Sequence, residues 1–138
     1  MTVAGCTSAA GQATVTVLPV ALYALTPCRL IDTRSITPPP LPVQGARTFN
    51  VVGGTCGIPS TAKAVVLNLT VVTPPAAGFL TLYPGDQALP LVSTLNFRAG
   101  QVRANNAIVP IGADGTLAIF NGSNGTAEVV VDVVGYFQ

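Results

Sequence analysis

The stretch that most constrains this chain is Ala62–Thr73, AKAVVLNLTVVT. It is apolar and β-branched, without Gly or Pro, and falls short of the ~20 residues of a membrane-spanning helix. Val65, Leu67, Leu69 and Val71 fall on one face of an extended segment, and Val66, Asn68, Thr70 and Val72 on the other. Apolar residues on both faces predict a central strand covered on both sides, or nearly so. The rest of the chain must supply its neighbours.

Pro and Gly punctuate that remainder. Strands are expected at Ala13–Leu18, Val20–Leu25, Pro27–Arg34, Arg47–Val52, Phe79–Tyr83, Leu91–Phe97, Gln101–Ile111, Thr116–Asn121 and Ala127–Phe137. Turn signals separate them at Pro84-Gly85-Asp86, Ala99-Gly100, Ala113-Asp114-Gly115 and Asn121–Gly125. Thr37–Pro42 holds four prolines and predicts a stiff surface loop with little ladder pairing. Gly53–Pro59 reads as a tight turn carrying Cys56. No segment shows the helical period of 3.6 residues. About ten short strands predict an all-β fold, a β-sandwich of jelly-roll-like form with an extra N-terminal strand; a closed barrel is the competing architecture. Residues 1–22 read as an N-terminal extension and residues 23–138 as a single module.

Composition narrows the class. A chain of 138 residues makes one domain with a real core. Charged residues are 8% of it, against about 25% in ordinary soluble domains. The net charge of +1 argues against electrostatic binding to nucleic acid or an anionic membrane. No apolar run reaches the length of a membrane span. Such a chain fits a secreted β-protein that buries further surface against partners. Met1–Gly5 lacks the basic and apolar regions of a signal peptide, and the stretch that should precede a lipoprotein box at Val3-Ala4-Gly5-Cys6 is missing.

Catalytic chemistry finds little support. Histidine is absent, which removes the usual general base, imidazole ligand and triad partner. Asp86 and Asp114 sit in Gly-flanked turns, where Asp bonds its own backbone, and neither turn gathers the oxygen ligands of a calcium site. No catalytic residue, metal ligand or cofactor is assigned. Asn68, Asn121 and Asn124 each open a glycosylation pattern, and Asn68 falls in a strand.

Two polar features stand out. In Val129–Val134, Asp132 shares a face with Val130 and Val134, so its carboxylate is costly unless paired. Arg34, ahead of Arg29 or Arg103, is the expected partner, within a structural cluster of Asp132, Arg34, Asp32 and Asn68; a polar ligand pocket is the alternative. Cys28 and Cys56 lie beside turn formers and predict a structural disulfide, since three Cys without His suit zinc poorly. Cys6 is left over.

Several blocks recur in fixed order. They are PCRLIDTR (Pro27–Arg34), CGIP (Cys56–Pro59), AVVLNLTVV (Ala64–Val72), GFLTLYP (Gly78–Pro84), STLNF (Ser93–Phe97), ANNAIVP (Ala104–Pro110) and VVVDVVGYF (Val129–Phe137). Over residues 23–138 the chain resembles an uncharacterised β-module at the ends of large secreted proteins of soil bacteria. The resemblance implies secretion and an extracellular or cell-surface setting, and brings no established activity or active site.

Residues before Tyr23 lie outside that resemblance. Ala13, Val15 and Val17 share one face of a strand, and beyond Pro19, Val20 and Leu22 are apolar again. An unpaired apolar strand is normally covered. Either it completes an adjacent domain of a longer protein, or it augments the sheet of a neighbouring copy, which repeated without closure gives a filament. The leading expectation is therefore a non-enzymatic structural or adhesive module whose partners are its own copies or adjacent domains. A carbohydrate-binding module is the alternative; it needs an exposed aromatic platform, and the Tyr and Phe positions read as core. An enzyme is the third reading, with no residues to support it.

Overall fold

The computed structural model describes residues 19–138 throughout, together with the main chain of Cys6–Thr7 and Thr14–Val15. Those two pairs form short strands, β1 (Cys6–Thr7) and β2 (Thr14–Val15), with Cys6 opposite Val15. Eight further strands follow: β3 (Leu22–Asp32), β4 (Gly45–Asn50), β5 (Ala64–Val72), β6 (Gly78–Pro84), β7 (Leu95–Phe97), β8 (Val102–Pro110), β9 (Thr116–Asn121) and β10 (Glu128–Phe137).

They form two four-stranded antiparallel sheets, ordered β3-β10-β5-β8 and β4-β9-β6-β7. Successive strands cross from one sheet to the other, except for the β6–β7 hairpin, and β3 and β10 lie side by side. This is a jelly-roll sandwich. The sandwich has eight strands where the sequence suggests about ten. Val20–Leu25 and Pro27–Arg34 merge into β3, an edge strand, where Pro27 costs no ladder donor that matters. Ala13–Leu18 joins neither sheet through its described pair, Thr14–Val15. The strand expected at Leu91–Phe97 shrinks to Leu95–Phe97, because residues 85–94 form the hairpin loop.

β5 is central, as its pattern requires. Val65, Leu67, Leu69 and Val71 are at most 1% exposed, and pack with Val129, Val131 and Val133 of β10 and with Leu80, Leu117 and Ile119 of the facing sheet. Its second face is only half-buried, contrary to the expectation of cover on both sides. No layer lies over Val66, Asn68, Thr70 and Val72 among the described residues; side chains of flanking strands supply their partial burial.

Loops close the sandwich. Leu41 drops from the proline loop into the core, fully buried, and exchanges main-chain hydrogen bonds with Ala127. The Arg47 guanidinium donates to the carbonyls of Thr37, Pro38 and Pro39 and lies 4.7 Å from the Phe49 ring centroid. At the β8–β9 turn, Gly115 has φ of 81°, a conformation that glycine adopts without penalty.

Cys28 and Cys56 are bonded, with Cα atoms 5.7 Å apart. The bridge ties β3 of one sheet to the turn after β4 of the other. In the chain-entropy model, a loop spanning a sequence separation of 28 contributes roughly 3–4 kcal/mol. A Cys28→Ser, Cys56→Ser double variant should lose about that much in urea unfolding; an unchanged midpoint and slope would show that the bridge adds no stability.

Candidate functional site

Charge on this molecule is concentrated where β3 and β10 meet. On the outward face of the first sheet, Arg29, Asp132, Asn68 and Asn106 form one cross-strand row. The Arg29 guanidinium grips Asp132 through two parallel bonds, Nε to Oδ1 at 2.9 Å and Nη2 to Oδ2 at 3.1 Å. Its Nη1 also lies 3.6 Å from Asp32 Oδ2. Arg34 clamps Asp32 in the same forked way, at 2.9 and 2.8 Å, and its main-chain N–H donates to Asp32 Oδ1. Next to them, Thr33 Oγ1 donates to Glu128 Oε2 and accepts from the Val129 N–H.

The sequence places these groups in one neighbourhood but mispairs them. Asp132 takes Arg29, not Arg34, and Arg103 stands away on β8, opposite Val71. The cause is a register shift between Val131 and Asp132, which slides Arg29 opposite Asp132. Counting along β3 cannot reveal a bulge. Arg34 lies within the turn that leaves β3, and so folds back on Asp32. Asn68 does face Asp132 across the ladder, as expected, but donates to Thr70 Oγ1. Asp132 is also less shielded than expected, with its side chain 31% exposed against 6% for Asp32.

The electrostatics follow that difference in burial. The Arg34 guanidinium, with help from its own main-chain N–H and from Arg29, outweighs desolvation and pulls the Asp32 carboxyl down to about 2. Hydrogen bonding to Asp132 raises Arg29, and hydrogen bonding to Asp32 raises Arg34. Arginine and carboxylate are paired throughout this clasp, and a pocket lined by Pro27, Cys28, Arg29 and Asp132 opens beside it.

The remaining candidates are largely bonded internally, although the buried Asn121 Oδ1 has no hydrogen-bond partner among the described residues. Asp114 accepts from Thr116 in its own turn, as its position predicts, whereas Asp86 accepts from the Ala113 N–H of the β8–β9 turn rather than from its own backbone. Among the described residues no three His, Cys, Asp or Glu side chains are placed to hold a metal ion together. Asn121 is fully buried and donates to the carbonyls of Pro42 and Gly125, whereas Asn124 is exposed. On the second sheet an apolar groove of about 300 Å³ runs over Phe79 and Phe120, beside Leu89 and Leu91. The two rings tilt at 46°, and the Phe79 ring lies over Gly122, where a Cβ would collide with it. The groove's polar groups are spent internally, Thr81 on the Val92 carbonyl and Asn96 on Ser93.

Aromatic placement departs from expectation. Tyr83, Phe49 and Phe97 are buried, but Tyr23 is 43% exposed, and Tyr136, Phe79, Phe120 and Phe137 are only partly buried. Tyr23 and Tyr136 face each other across β3 and β10 with rings 5.3 Å apart and nearly parallel. Of the strand assigned to assembly, Val20 and Leu22 are more than half exposed. Ala13 and Val17 lie outside the described residues, and Val15 is described by its main chain alone.

No protein-family model matches the chain, and a search of curated proteins finds no match.

The clasp has a pH signature. A carboxyl held near 2 when folded and near 3.9 when unfolded stabilises the fold above about pH 4, and that contribution disappears as pH falls through the folded value. In urea unfolding at stepped pH, Asp32→Asn should cost most at neutral pH, and its difference from the parent should shrink between about pH 4 and 2. A difference that holds constant down to about pH 2 would contradict the pairing with Arg34. Asp132→Ala should cost less, and its effect should weaken with salt, because that pair is half-exposed.

Proposed function

We propose that this chain is a non-enzymatic, extracellular structural or adhesive module, joined to its own copies or to adjacent domains of a cell-surface protein or filament. One observation carries the reading. Large apolar side chains stand on the surface of a chain with few charges: Leu91 is 103% exposed, Val102 67%, Ile108 64% and Ile36 59%. Burying these side chains against a partner would remove their apolar surface from water. The disulfide suits an oxidising compartment, and the resemblance to secreted surface modules agrees with it. A jelly roll by itself supports many functions and decides none.

In this reading residues 13–18 donate a strand to a neighbour, and Val20 and Leu22, exposed where β3 begins, extend the same apolar segment. Light scattering and electron microscopy of the full chain test it. Assembly larger than a dimer should be present in the parent and lost in a Val15→Lys, Val17→Lys variant. A parent that stays monomeric at every concentration defeats the proposal.

The half-exposed, stacked Tyr23 and Tyr136 favour a second reading, a carbohydrate-binding module. A glycan array should then give binding that Tyr23→Ala abolishes; a blank array removes this reading.

A further inference from the structure

Four strands lie at the edges of the sandwich, and three are blunted against pairing. β3 carries Pro27, two register shifts against β10 and the disulfide at Cys28. β4 has six residues and β7 three. β8 differs: it has nine residues, pairs with β5 without a register shift, and carries one charge, Arg103.

Main-chain hydrogen bonds fix which groups of β8 face outward. At the two ends of the β5–β8 ladder, the Ile111 N–H donates to the Lys63 carbonyl (2.9 Å) and the Thr73 N–H to the Gln101 carbonyl (2.8 Å). That phase turns the odd-numbered residues of β8 toward β5, and turns Val102, Ala104, Asn106, Ile108 and Pro110 to the open edge. The first four each present a donor and an acceptor; Pro110 has no N–H. Among the described residues, no main-chain group meets them there. All four residues are exposed.

We propose that β8 pairs antiparallel with β8 of a second copy, about a twofold axis at Asn105. The edge is self-complementary in this register. Val102 stands opposite Ile108 of the second copy, so the two most exposed apolar side chains of β8 cover one another. Ala104 stands opposite Asn106 of the second copy, and all four donors and acceptors of each edge are satisfied. A shift of two residues in one direction sets Val102 against Pro110 and forfeits a donor in each copy; in the other it shortens the ladder. Arg103 faces Ala107 of the second copy, which keeps like charges apart, and the net charge of +1 opposes association little. The two first sheets become one continuous sheet of eight strands. This interface uses β8, and so is separate from donation by residues 13–18.

Cross-linking of the full chain in a Cys6→Ser background tests the register. In the proposed pair Asn105 meets its own counterpart at a non-hydrogen-bonded position, with Cα atoms about 4.5 Å apart, within disulfide reach. Oxidised Asn105→Cys should run as a covalent dimer, whereas Asn106→Cys, offset from its counterpart, should not. By light scattering the Val15→Lys, Val17→Lys variant should have twice the mass of one chain. Ala104→Pro, whose ring faces the open edge and spares the β5 ladder, should halve it. Three results overturn the proposal: a monomeric parent, no cross-link at Asn105, or an assembly that survives Ala104→Pro and is lost with Val15→Lys. The last would assign association to residues 13–18. A dimer that persists in Val15→Lys and disappears in Ala104→Pro supports β8.

Discussion

Burial of one face of β5 is the constraint on which the rest of the structure depends. Val65, Leu67, Leu69 and Val71 form the floor of the core, and β10 lays Val129, Val131 and Val133 beside them. The opposite sheet contributes Leu80, Leu82, Leu117 and Ile119. A valine or leucine fully buried in this way gains about 1.5–3 kcal/mol over exposure, so this layer dominates the favourable side of folding. The loops serve the same core: Leu41 and Ile58 seal it, and Arg47 holds the proline loop in the position that lets Leu41 enter.

Charge plays a different part. With so few ionisable groups, three of the five acids and two arginines gather at the meeting of β3 and β10, the first and last strands of the sandwich. Asp32 is buried and doubly held, and so fixes the chain's turn out of β3. Asp132 and Arg29 lie nearer water and contribute register more than energy. What remains outside is largely apolar or neutral, with scattered charges such as Lys63, Arg98 and Arg103, and a net charge of +1 gives the surface little electrostatic means of refusing a neighbour.

Much of this was legible in residue order, and the misses share physical causes. Alternation identified β5, β9 and β10 to within a residue or two, because a period of two with β-branched residues has no competing reading. The Cys28–Cys56 bridge was legible because both residues flank turns. Pro27 suggested a break that an edge strand does not need. Leu91 and Val92 suggested a strand, but they project from a hairpin loop, and apolarity alone cannot separate the two. Arg29 was passed over for Asp132 because its position depends on a register shift, a property of two strands together that neither segment encodes alone. The outer aromatics were taken for core because residue type does not say which face of a sheet lies uncovered.

If β5 and β10 are the foundation, they must be the last part of the molecule to open. Native-state hydrogen exchange, followed residue by residue, measures this directly. The main-chain amides of the β5–β10 ladder should exchange only with global unfolding, while those of β4, β7 and the outer edge of β8 exchange earlier. Leu69→Ala should lower the whole protected set together, by about 2–5 kcal/mol. Amides of the β4–β9 ladder outlasting those of β5 and β10, or a Leu69→Ala effect confined to its own strand, would contradict it.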